Sequence, residues 1–302
     1  MLFSVHVPSA WLARFPFVRT RAITRKPPPP LSHNPTTPQP NTPPAMSILH
    51  YTVRDHIAEI LLNNPPVNAL DATLMRELLA TLQRAGADTD VRAIIIGSAV
   101  PGRFCAGLDL GAFLNSPLHQ AHATVNQLYS ELYDVQSKLG KPSIAAITGA
   151  ARGGGMSMAI SCDLIVAADN ASFGYPEMDI GLLPAIHYTH LPRIVGRYRA
   201  FDLLFTGRTF DAQEEQTLGL VSRIAPADAV LDAARTLARQ LAAKSPQLMR
   251  MGRAAFIHAT DTSYRSGVAG AVNLLSAVIA TEDSKEGLTA FVEKRKPVWG
   301  GR

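Results

Sequence analysis

The feature that most constrains this chain is a run of three glycines that leads directly into an apolar helix pattern. The stretch GAARGGGMSMAISCDL covers residues 149–164, and Met156, Met158, Ala159 and Ile160 form the predicted buried side of the helix. Glycine loses more backbone freedom on folding than any other residue, so three in succession normally weaken a regular element. The run therefore implies that another group approaches the backbone closely at the amino end of this helix.

A second glycine-containing turn, GRFCAGLDL, occupies residues 102–110. Each turn follows an apolar strand, one ending near Ser98 and the other near Thr148. The amino ends of helices present unpaired N–H groups and the positive end of the helix dipole, which favour negative charge. Two such turns on neighbouring strands predict that one oxygen is held between two backbone N–H groups, as in an oxyanion hole.

Composition and charge exclude several classes of function. The net charge is +5, but residues 1–45 hold five basic side chains and no acid, so 24 basic and 24 acidic residues remain for the rest. That balance excludes a basic nucleic-acid-binding domain. The two cysteines form no CxxC motif, so neither a metal site nor a disulfide framework is predicted. The longest apolar runs are far shorter than the roughly 20 residues of a membrane span, so we expect none.

The first 45 residues differ in character from the rest of the chain. They contain 11 of the 22 prolines, a composition that cannot build a packed core, and we expect them to be disordered. Their front half bears arginine and no acid, as transit peptides do. The other interpretation is an extension ahead of a start at Met46. We expect a cytoplasmic protein, or one of the mitochondrial matrix if the extension is a transit peptide.

Strand and helix patterns alternate from residue 48 and become wholly helical after GLVSRI. Two strand patterns flank Asp55 and His56, which predicts a hairpin. Asp71 is a good cap for a helix with leucines at fourfold spacing. This helix is predicted over residues 71–86, and others are predicted near residues 117–139, 246–258 and 265–279. The sequence therefore predicts an α/β core over residues 46–226 and a helical region over residues 227–302.

Several motifs occur in the order that is typical of the crotonase, or enoyl-CoA hydratase/isomerase, superfamily. They are NNPPVNALD, RFCAGLDL, GAARGGGMSMAISCDLIVAAD, ASFGYPEMDIGLLP, RAFDLLFTGRTFDAQEEQTLGLVSRI and EGLTAFVEKRKP. The chain resembles this family over about residues 48–300. The resemblance implies an α/β spiral of ββα units, with C-terminal helices that assemble a homotrimer or a hexamer. It also implies acyl-CoA substrates and no separate cofactor, since coenzyme A is part of the substrate.

The resemblance also implies a role for individual residues. The backbone N–H groups of Leu108 and Gly154 would hold the thioester oxygen, which becomes negative when an enolate forms at C2. Glu177, in FGYPEMDIG, would be the catalytic base. The residues that would bind the substrate and its coenzyme A are Ala106, Gly107, Asp109, Leu110, Phe291 and Lys294.

The sequence departs from the family pattern at two places. Ser157 stands where two-carboxylate hydratases carry a second glutamate, so Glu177 is left as a single base. We therefore favour the isomerisation of 3-enoyl-CoA to 2-enoyl-CoA. The alternatives are a hydratase or hydratase/lyase that uses Glu177 and Ser157, and a non-catalytic binding protein. Ile186, His187 and Tyr188 replace a glycine-rich turn and are expected to reshape the acyl pocket.

Overall fold

A computed structural model describes residues 47–244, 246–261 and 264–298. The predicted N-terminal extension, residues 1–45, lies outside the described residues. The strands are β1 (Leu49–Arg54), β2 (Ile57–Leu62), β3 (Ala93–Ser98), β4 (Arg103–Cys105), β5 (Ser143–Ile147), β6 (Ala150–Arg152), β7 (Leu164–Ala168), β8 (Ser172–Gly174), β9 (Thr209–Asp211) and β10 (Arg223–Ala225). They form a sheet in the order β1-β2-β3-β5-β7-β10 and a second sheet in the order β4-β6-β8-β9.

The structure contains the helices that the sequence predicts and several shorter ones that it does not. They are α1 (Ala72–Ala87), α2 (Leu110–Leu114), α3 (Leu118–Asn126), α4 (Leu132–Lys138), α5 (Gly154–Ser161), α6 (His187–Val195), α7 (Arg197–Thr206), α8 (Ala212–Leu218), α9 (Val230–Ala242), α10 (Pro246–Asp261), α11 (Tyr264–Ile279) and α12 (Glu282–Val292). A π-helical turn at Gln127–Glu131 joins α3 to α4, so the one helix predicted over residues 117–139 contains a change of pitch. A 3₁₀ turn covers Pro176–Ile180.

Local sequence accounts for the edges of the first sheet. The predicted hairpin is present: β1 and β2 pair antiparallel, and Asp55 and His56 both have positive φ, as a type I′ hairpin turn requires. The strands that follow β2 in this sheet pair parallel. The Asp71 carboxylate caps α1 by accepting a hydrogen bond from the Leu74 N–H. The predicted α/β core with C-terminal helices is confirmed.

Helix α9 lies across β2, β3, β5 and β7 and buries an apolar stripe against them. The guanidinium of Arg235 fixes this helix to β2 by two hydrogen bonds to Glu59, at 2.8 and 2.9 Å. Residues 46–302 form one compact unit. The first C-terminal helix is therefore part of the core, and the boundary between residues 226 and 227 stays a prediction.

Helix α12 packs against α2 and against the 3₁₀ turn at Pro176–Ile180. The contact is between backbones. A β-carbon at Gly287 would collide with the Ile180 carbonyl, and one at Gly181 would lie 2.8 Å from the Asp283 carbonyl oxygen. Gly181 also has φ of +76°, a conformation that side chains disfavour. The last described helix therefore supports this turn directly.

Helix α10 is held to the core by the buried side chain of Arg253. Its Nε donates to the Asp163 carboxylate at 2.8 Å, and its two Nη atoms donate to the carbonyl oxygens of Gln136 and Ser137. This one guanidinium thereby joins α10 to the end of α4 and to the residue before β7. Removal of a buried charged partner leaves the other groups without hydrogen bonds.

We expect Arg253→Met to lower the free energy of unfolding by about 2–4 kcal/mol, because Asp163 loses its cationic partner and the carbonyl oxygens of Gln136 and Ser137 each lose a donor. Urea unfolding followed by circular dichroism measures the change. Lys138→Met is the control, since the pair between Lys138 and Asp134 is solvent-exposed and should contribute little. Equal effects of the two variants would contradict the structural role of Arg253.

Candidate active site

The two glycine-containing turns touch each other at Gly107 and Gly154. Gly107 has φ of +88°. A β-carbon on Gly107 would lie 2.9 Å from the Arg152 carbonyl oxygen and 3.0 Å from the Gly154 nitrogen, closer than real side chains allow. Only glycine fits at this position, both for space and for backbone conformation.

A third segment, the loop at residues 63–71, pairs with the first turn in the manner of a strand. The N–H of Leu70 donates to the Gly107 carbonyl at 2.7 Å, and the N–H of Asp109 donates back to the Leu70 carbonyl at 3.0 Å. Leu108, between them, is thereby fixed in an extended conformation beside Leu70.

The buried side chain of Asn68 holds this loop in place. Its amide nitrogen donates to the Ser98 hydroxyl at 2.8 Å and to the Phe104 carbonyl at 2.9 Å, and its amide oxygen accepts from the Asn64 N–H. These bonds join the loop to the ends of β3 and β4. Asn68 was not among the residues singled out from sequence, although it lies in the NNPPVNALD motif.

Two backbone N–H groups at this junction have no acceptor among the described residues. The N–H of Gly153 donates to the Gly174 carbonyl at 3.1 Å. Within the described part of the chain, no hydrogen bond uses the N–H of Leu108 or of Gly154. Gly154 is the first residue of α5, where the helix dipole is positive. The junction therefore offers two donors and a positive potential to a negatively charged oxygen.

The other two glycines of the run meet different neighbours. Gly153 has φ of +48°, and a β-carbon there would lie 3.0 Å from the Glu177 carboxylate oxygen Oε1. A β-carbon on Gly155 would collide with the Cys105 carbonyl. The absence of side chains thus allows a carboxylate and a neighbouring strand to approach the start of α5.

Glu177 lies on the 3₁₀ turn, and its carboxyl end points into the protein. The residue is partly exposed, but its Oε2 is buried and has no hydrogen-bond partner among the described residues. Burial raises the pKa of the carboxyl from 4.5 to about 7. The group therefore exchanges protons readily near neutral pH, as a general base must.

Three tyrosines surround this carboxyl. Burial and the nearby negative charge of Glu177 raise the pKa of Tyr129, Tyr175 and Tyr188. Tyr175 is fully buried, and its hydroxyl has no partner among the described residues. The centroid of its ring lies 4.5 Å from the centroid of the His187 ring. The carboxylate is thus set in aromatic surroundings that stabilise a negative charge poorly.

Ser157 and His187 form a buried pair beside the same turn. The Ser157 Oγ lies 3.2 Å from the His187 Nε2. Burial, with a smaller contribution from the neighbouring His190, lowers the pKa of His187 well below 6.5, so the imidazole is neutral near pH 7. The sequence identified both residues but gave no sign that they are partners.

Glu215 is a second buried carboxyl, and sequence reasoning missed it. It lies on α8, and both of its oxygens are without partners among the described residues. Burial, with a contribution from Glu214, raises its pKa to about 8. Its charge acts on Tyr175, as that of Glu177 does. Two adjacent glutamates on a short helix are typical of a solvated face, so no sequence signal indicated its burial.

The residues expected to bind coenzyme A fall into two groups. Ala106, Gly107, Asp109 and Leu110 follow one another through the first turn, where the Asp109 carboxylate caps α2. Asp109 also lines a cleft of about 370 Å³ between the starts of α1 and α2.

The second group lies on and after α12. Phe291 is 54% exposed, and Lys294 is exposed with a positive φ. The structure does not bring either residue into the lining of that cleft.

Two general properties bear on the kind of site this is. The described ranges contain no group of three or more histidine, cysteine, aspartate or glutamate side chains placed to hold a metal ion. In the same ranges no helix has the length and apolar character needed to cross a bilayer.

The two buried glutamates should change the pH dependence of stability in the same direction. A carboxyl with a raised pKa favours the folded state below about pH 4.5, and this contribution is lost as the pH rises through its folded-state pKa. The parent protein should therefore lose stability between pH 5 and pH 8, whereas Glu177→Gln should not. The free energy of unfolding of the variant minus that of the parent protein should increase by about 2–3 kcal/mol over this range. Glu215→Gln should behave likewise. Urea unfolding at both pH values measures this, and a pH-independent difference would show that these carboxyls are solvated.

Comparisons with known proteins agree on the family. Residues 52–302 match the enoyl-CoA hydratase/isomerase family model. A probable enoyl-CoA hydratase of Mycobacterium tuberculosis is 38% identical over 79% of this chain and 92% of its own. The 2,3-dehydroadipyl-CoA hydratase of Escherichia coli is 35% identical over 85% and 100%. The structure of an enoyl-CoA hydratase from Bacillus anthracis has a TM-score of 0.68 at 31% identity, over 85% and 100% of the two chains. This chain is therefore an acyl-CoA enzyme of the enoyl-CoA hydratase/isomerase, or crotonase, family.

Proposed function

We propose that this protein adds water across the C2–C3 double bond of a 2-enoyl-CoA thioester and catalyses the reverse dehydration. The observation that carries the proposal is the position of the Glu177 carboxyl, whose buried Oε2 has no partner among the described residues. It lies against Gly153, the residue before Gly154, and the N–H groups of Gly154 and Leu108 have no acceptor in the same part of the chain. The sequence alone favoured isomerisation. The relatives described above are named hydratases, which supports the alternative with Glu177 and Ser157 instead.

The N–H groups of Leu108 and Gly154 would bind the thioester oxygen. Addition of water at C3 moves electrons onto this oxygen, and the resulting enolate carries negative charge there. Donors already aligned at that position stabilise the charge without reorganisation, and one such donor is typically worth about 3–4 kcal/mol. The positive end of α5 adds to this effect at Gly154.

Glu177 would move the proton in both halves of the reaction. As a carboxylate it takes a proton from water while the water oxygen bonds to C3. As the resulting acid it gives a proton to C2, and the enolate electrons return to form the new C–H bond. A pKa of about 7 suits both steps, since neither protonation state is strongly favoured near neutral pH.

Isomerisation of a 3-enoyl-CoA is the second candidate, and one observation favours it. The position of a second carboxylate holds Ser157, whose hydroxyl is bonded to a neutral histidine rather than to an acid. One base suffices to remove a proton from C2 and return it at C4. The two reactions share the enolate and differ in whether water is held beside it.

We also propose that the substrate runs along the first turn. The residues that would contact the thioester arm are Ala106, Gly107, Asp109 and Leu110. The cleft beside Asp109 supports this path.

No further cofactor is needed, because the reaction uses only water and the thioester. Phe291 and Lys294 would contact coenzyme A from a neighbouring subunit, and their exposure supports that proposal.

We expect the purified protein to hydrate 2-enoyl-CoA, with kcat/KM rising as the pH rises through about 7, because Glu177 must lose its proton to accept one from water. Glu177→Gln should lower kcat by about 100-fold or more. The loss of absorbance of the conjugated thioester measures the reaction.

Glu215→Gln is the matched control, because it replaces another buried carboxyl with a raised pKa and should retain activity. Isomerisation of 3-enoyl-CoA without hydration would establish the second candidate in place of the first. An absence of both reactions would favour a binding protein.

We propose a homotrimer, or a hexamer made of two trimers, as the assembly. Large apolar side chains are exposed on α6, α7 and α10, and the rings of Phe201 and Phe205 stack with centroids 4.1 Å apart. The exposed set is Ile194, Tyr198, Phe201, Phe205, Met251 and Phe256. Apolar patches of this kind mark interaction sites, and a second copy of the chain is the occupant that the family suggests.

We expect Phe201→Asp to shift the protein from trimer or hexamer towards monomer, because the charge would be buried in the interface. Sedimentation velocity measures the change in mass. Val53→Asp, at an exposed apolar position on the edge strand β1, is the control and should leave the mass unchanged. A monomeric parent protein would contradict the proposal.

The compartment depends on residues outside the site. We propose the cytoplasm, with the mitochondrial matrix as the alternative if residues 1–45 act as a transit peptide. The acid-free, arginine-bearing composition of this segment supports the alternative. So does a relative from Arabidopsis thaliana, 36% identical over 81% of this chain and 82% of its own, which is named probable enoyl-CoA hydratase 2, mitochondrial.

A further inference from the structure

The hydrogen-bonded pair of Ser157 and His187 has no role in the proton transfers described above. Both side chains are buried, Ser157 at 6% exposure and His187 at 0%. Ser157 lies one helical turn after Gly154 on α5, and His187 is the first residue of α6. Buried polar groups are normally hydrogen-bonded, and this bond satisfies Ser157 Oγ and His187 Nε2, whereas His187 Nδ1 has no partner among the described residues.

Gly153 places the pair beside the catalytic carboxyl. Its α-carbon faces Glu177, whose Oε1 would lie 3.0 Å from a β-carbon there. Its carbonyl accepts a hydrogen bond from the Ser157 N–H at 3.1 Å and favours the charged form of the His187 imidazole, although burial outweighs this effect. Glu177, Ser157 and His187 therefore converge on one backbone residue at the amino end of α5.

The neutral imidazole fixes what the serine hydroxyl can still do. If Nε2 carries the proton, it donates to Ser157 Oγ, and the hydroxyl proton remains available to a second acceptor. If Nε2 is unprotonated, Ser157 donates to it, and the oxygen lone pairs remain available to a second donor. In either tautomer the hydroxyl can form one more directed hydrogen bond to a water molecule, as the donor in the first case and as the acceptor in the second.

We propose that His187 is a positioning residue, which orients the Ser157 hydroxyl to hold the water molecule that adds at C3. This proposal rests on the proposed hydration. Ser157 neither gains nor loses a proton overall: Glu177 takes the proton from water, the oxygen bonds to C3, and Glu177 returns a proton to C2. The pair thus provides the second contact to water that a single carboxylate lacks.

A purely structural role makes a different prediction. If the pair only satisfies buried polar groups, its loss should lower stability and slow every reaction at the site together. If it holds water, its loss should slow the addition of water and spare a reaction of the same site that needs none. Exchange of the C2 proton of a saturated acyl-CoA with solvent deuterium is such a reaction, because it needs only Glu177 and the two amides.

The test measures hydration of 2-enoyl-CoA and C2 exchange of butyryl-CoA in deuterium oxide, the latter by NMR. Ser157→Ala and His187→Leu should each lower kcat for hydration by about tenfold or more, the effect of losing one directed hydrogen bond. Their exchange rates should stay within about threefold of the parent protein's. The double variant should be no slower than the slower single variant, because the two residues act as a unit.

His187→Gln tests the positioning role, since its amide nitrogen can reach the serine as Nε2 does; it should recover most of the hydration rate lost in His187→Leu. Ser161→Ala is the matched control on the same helix, because the Ser161 hydroxyl bonds to the Met158 carbonyl. This control should leave both rates unchanged. Should His187→Leu fail to fold, Ser157→Ala and His187→Gln still decide the question.

Three results would overturn the proposal: full hydration activity in Ser157→Ala, no rescue by His187→Gln, or equal losses of hydration and exchange. Failure of the proposed function is distinguishable from these. It would appear as a parent protein that shows no hydration, or as C2 exchange that persists in Glu177→Gln.

Discussion

The structure of this site depends on the close approach of two backbone turns, at Gly107 and at the start of α5. A β-carbon at Gly107 would lie 3.0 Å from the nitrogen of Gly154, so no other residue allows the approach. The surrounding hydrogen bonds, from the loop that contains Asn68 and Leu70, hold the turns in that contact. These bonds offset the weakening of local structure that glycine causes. Among the described residues, the N–H groups of Leu108 and Gly154 remain without acceptors at the point of contact.

Burial of the Glu177 carboxylate is energetically unfavourable, and unfavourable local arrangements of this kind are expected at functional sites. Its pKa of about 7 reflects a carboxylate that the fold stabilises poorly. Glu215 is fully buried and has a pKa of about 8, yet none of the described glycines has its carboxylate among the nearest atoms. A perturbed pKa alone therefore does not identify the base. The proximity of Glu177 to Gly153 and the amides is what distinguishes the two carboxyls.

Local patterns predicted most of the fold, because caps, hairpin turns and apolar periodicity act within a few residues. The hairpin at Asp55 and His56 and the α1 cap at Asp71 are examples. Contacts between distant segments were not predictable in this way. The partnership of Ser157 with His187, 30 residues apart, and the burial of Glu215 depend on how helices pack. The preference for isomerisation rested on a missing carboxylate, whereas related proteins are named hydratases.

The backbone contact between α12 and the 3₁₀ turn has a consequence for biosynthesis. Gly287 packs directly on Ile180, so the turn that carries Glu177 is completed by a segment translated long after it. A chain that ended before α12 would lack this support for the turn of Glu177, although both glycine-containing turns precede α12 in the sequence.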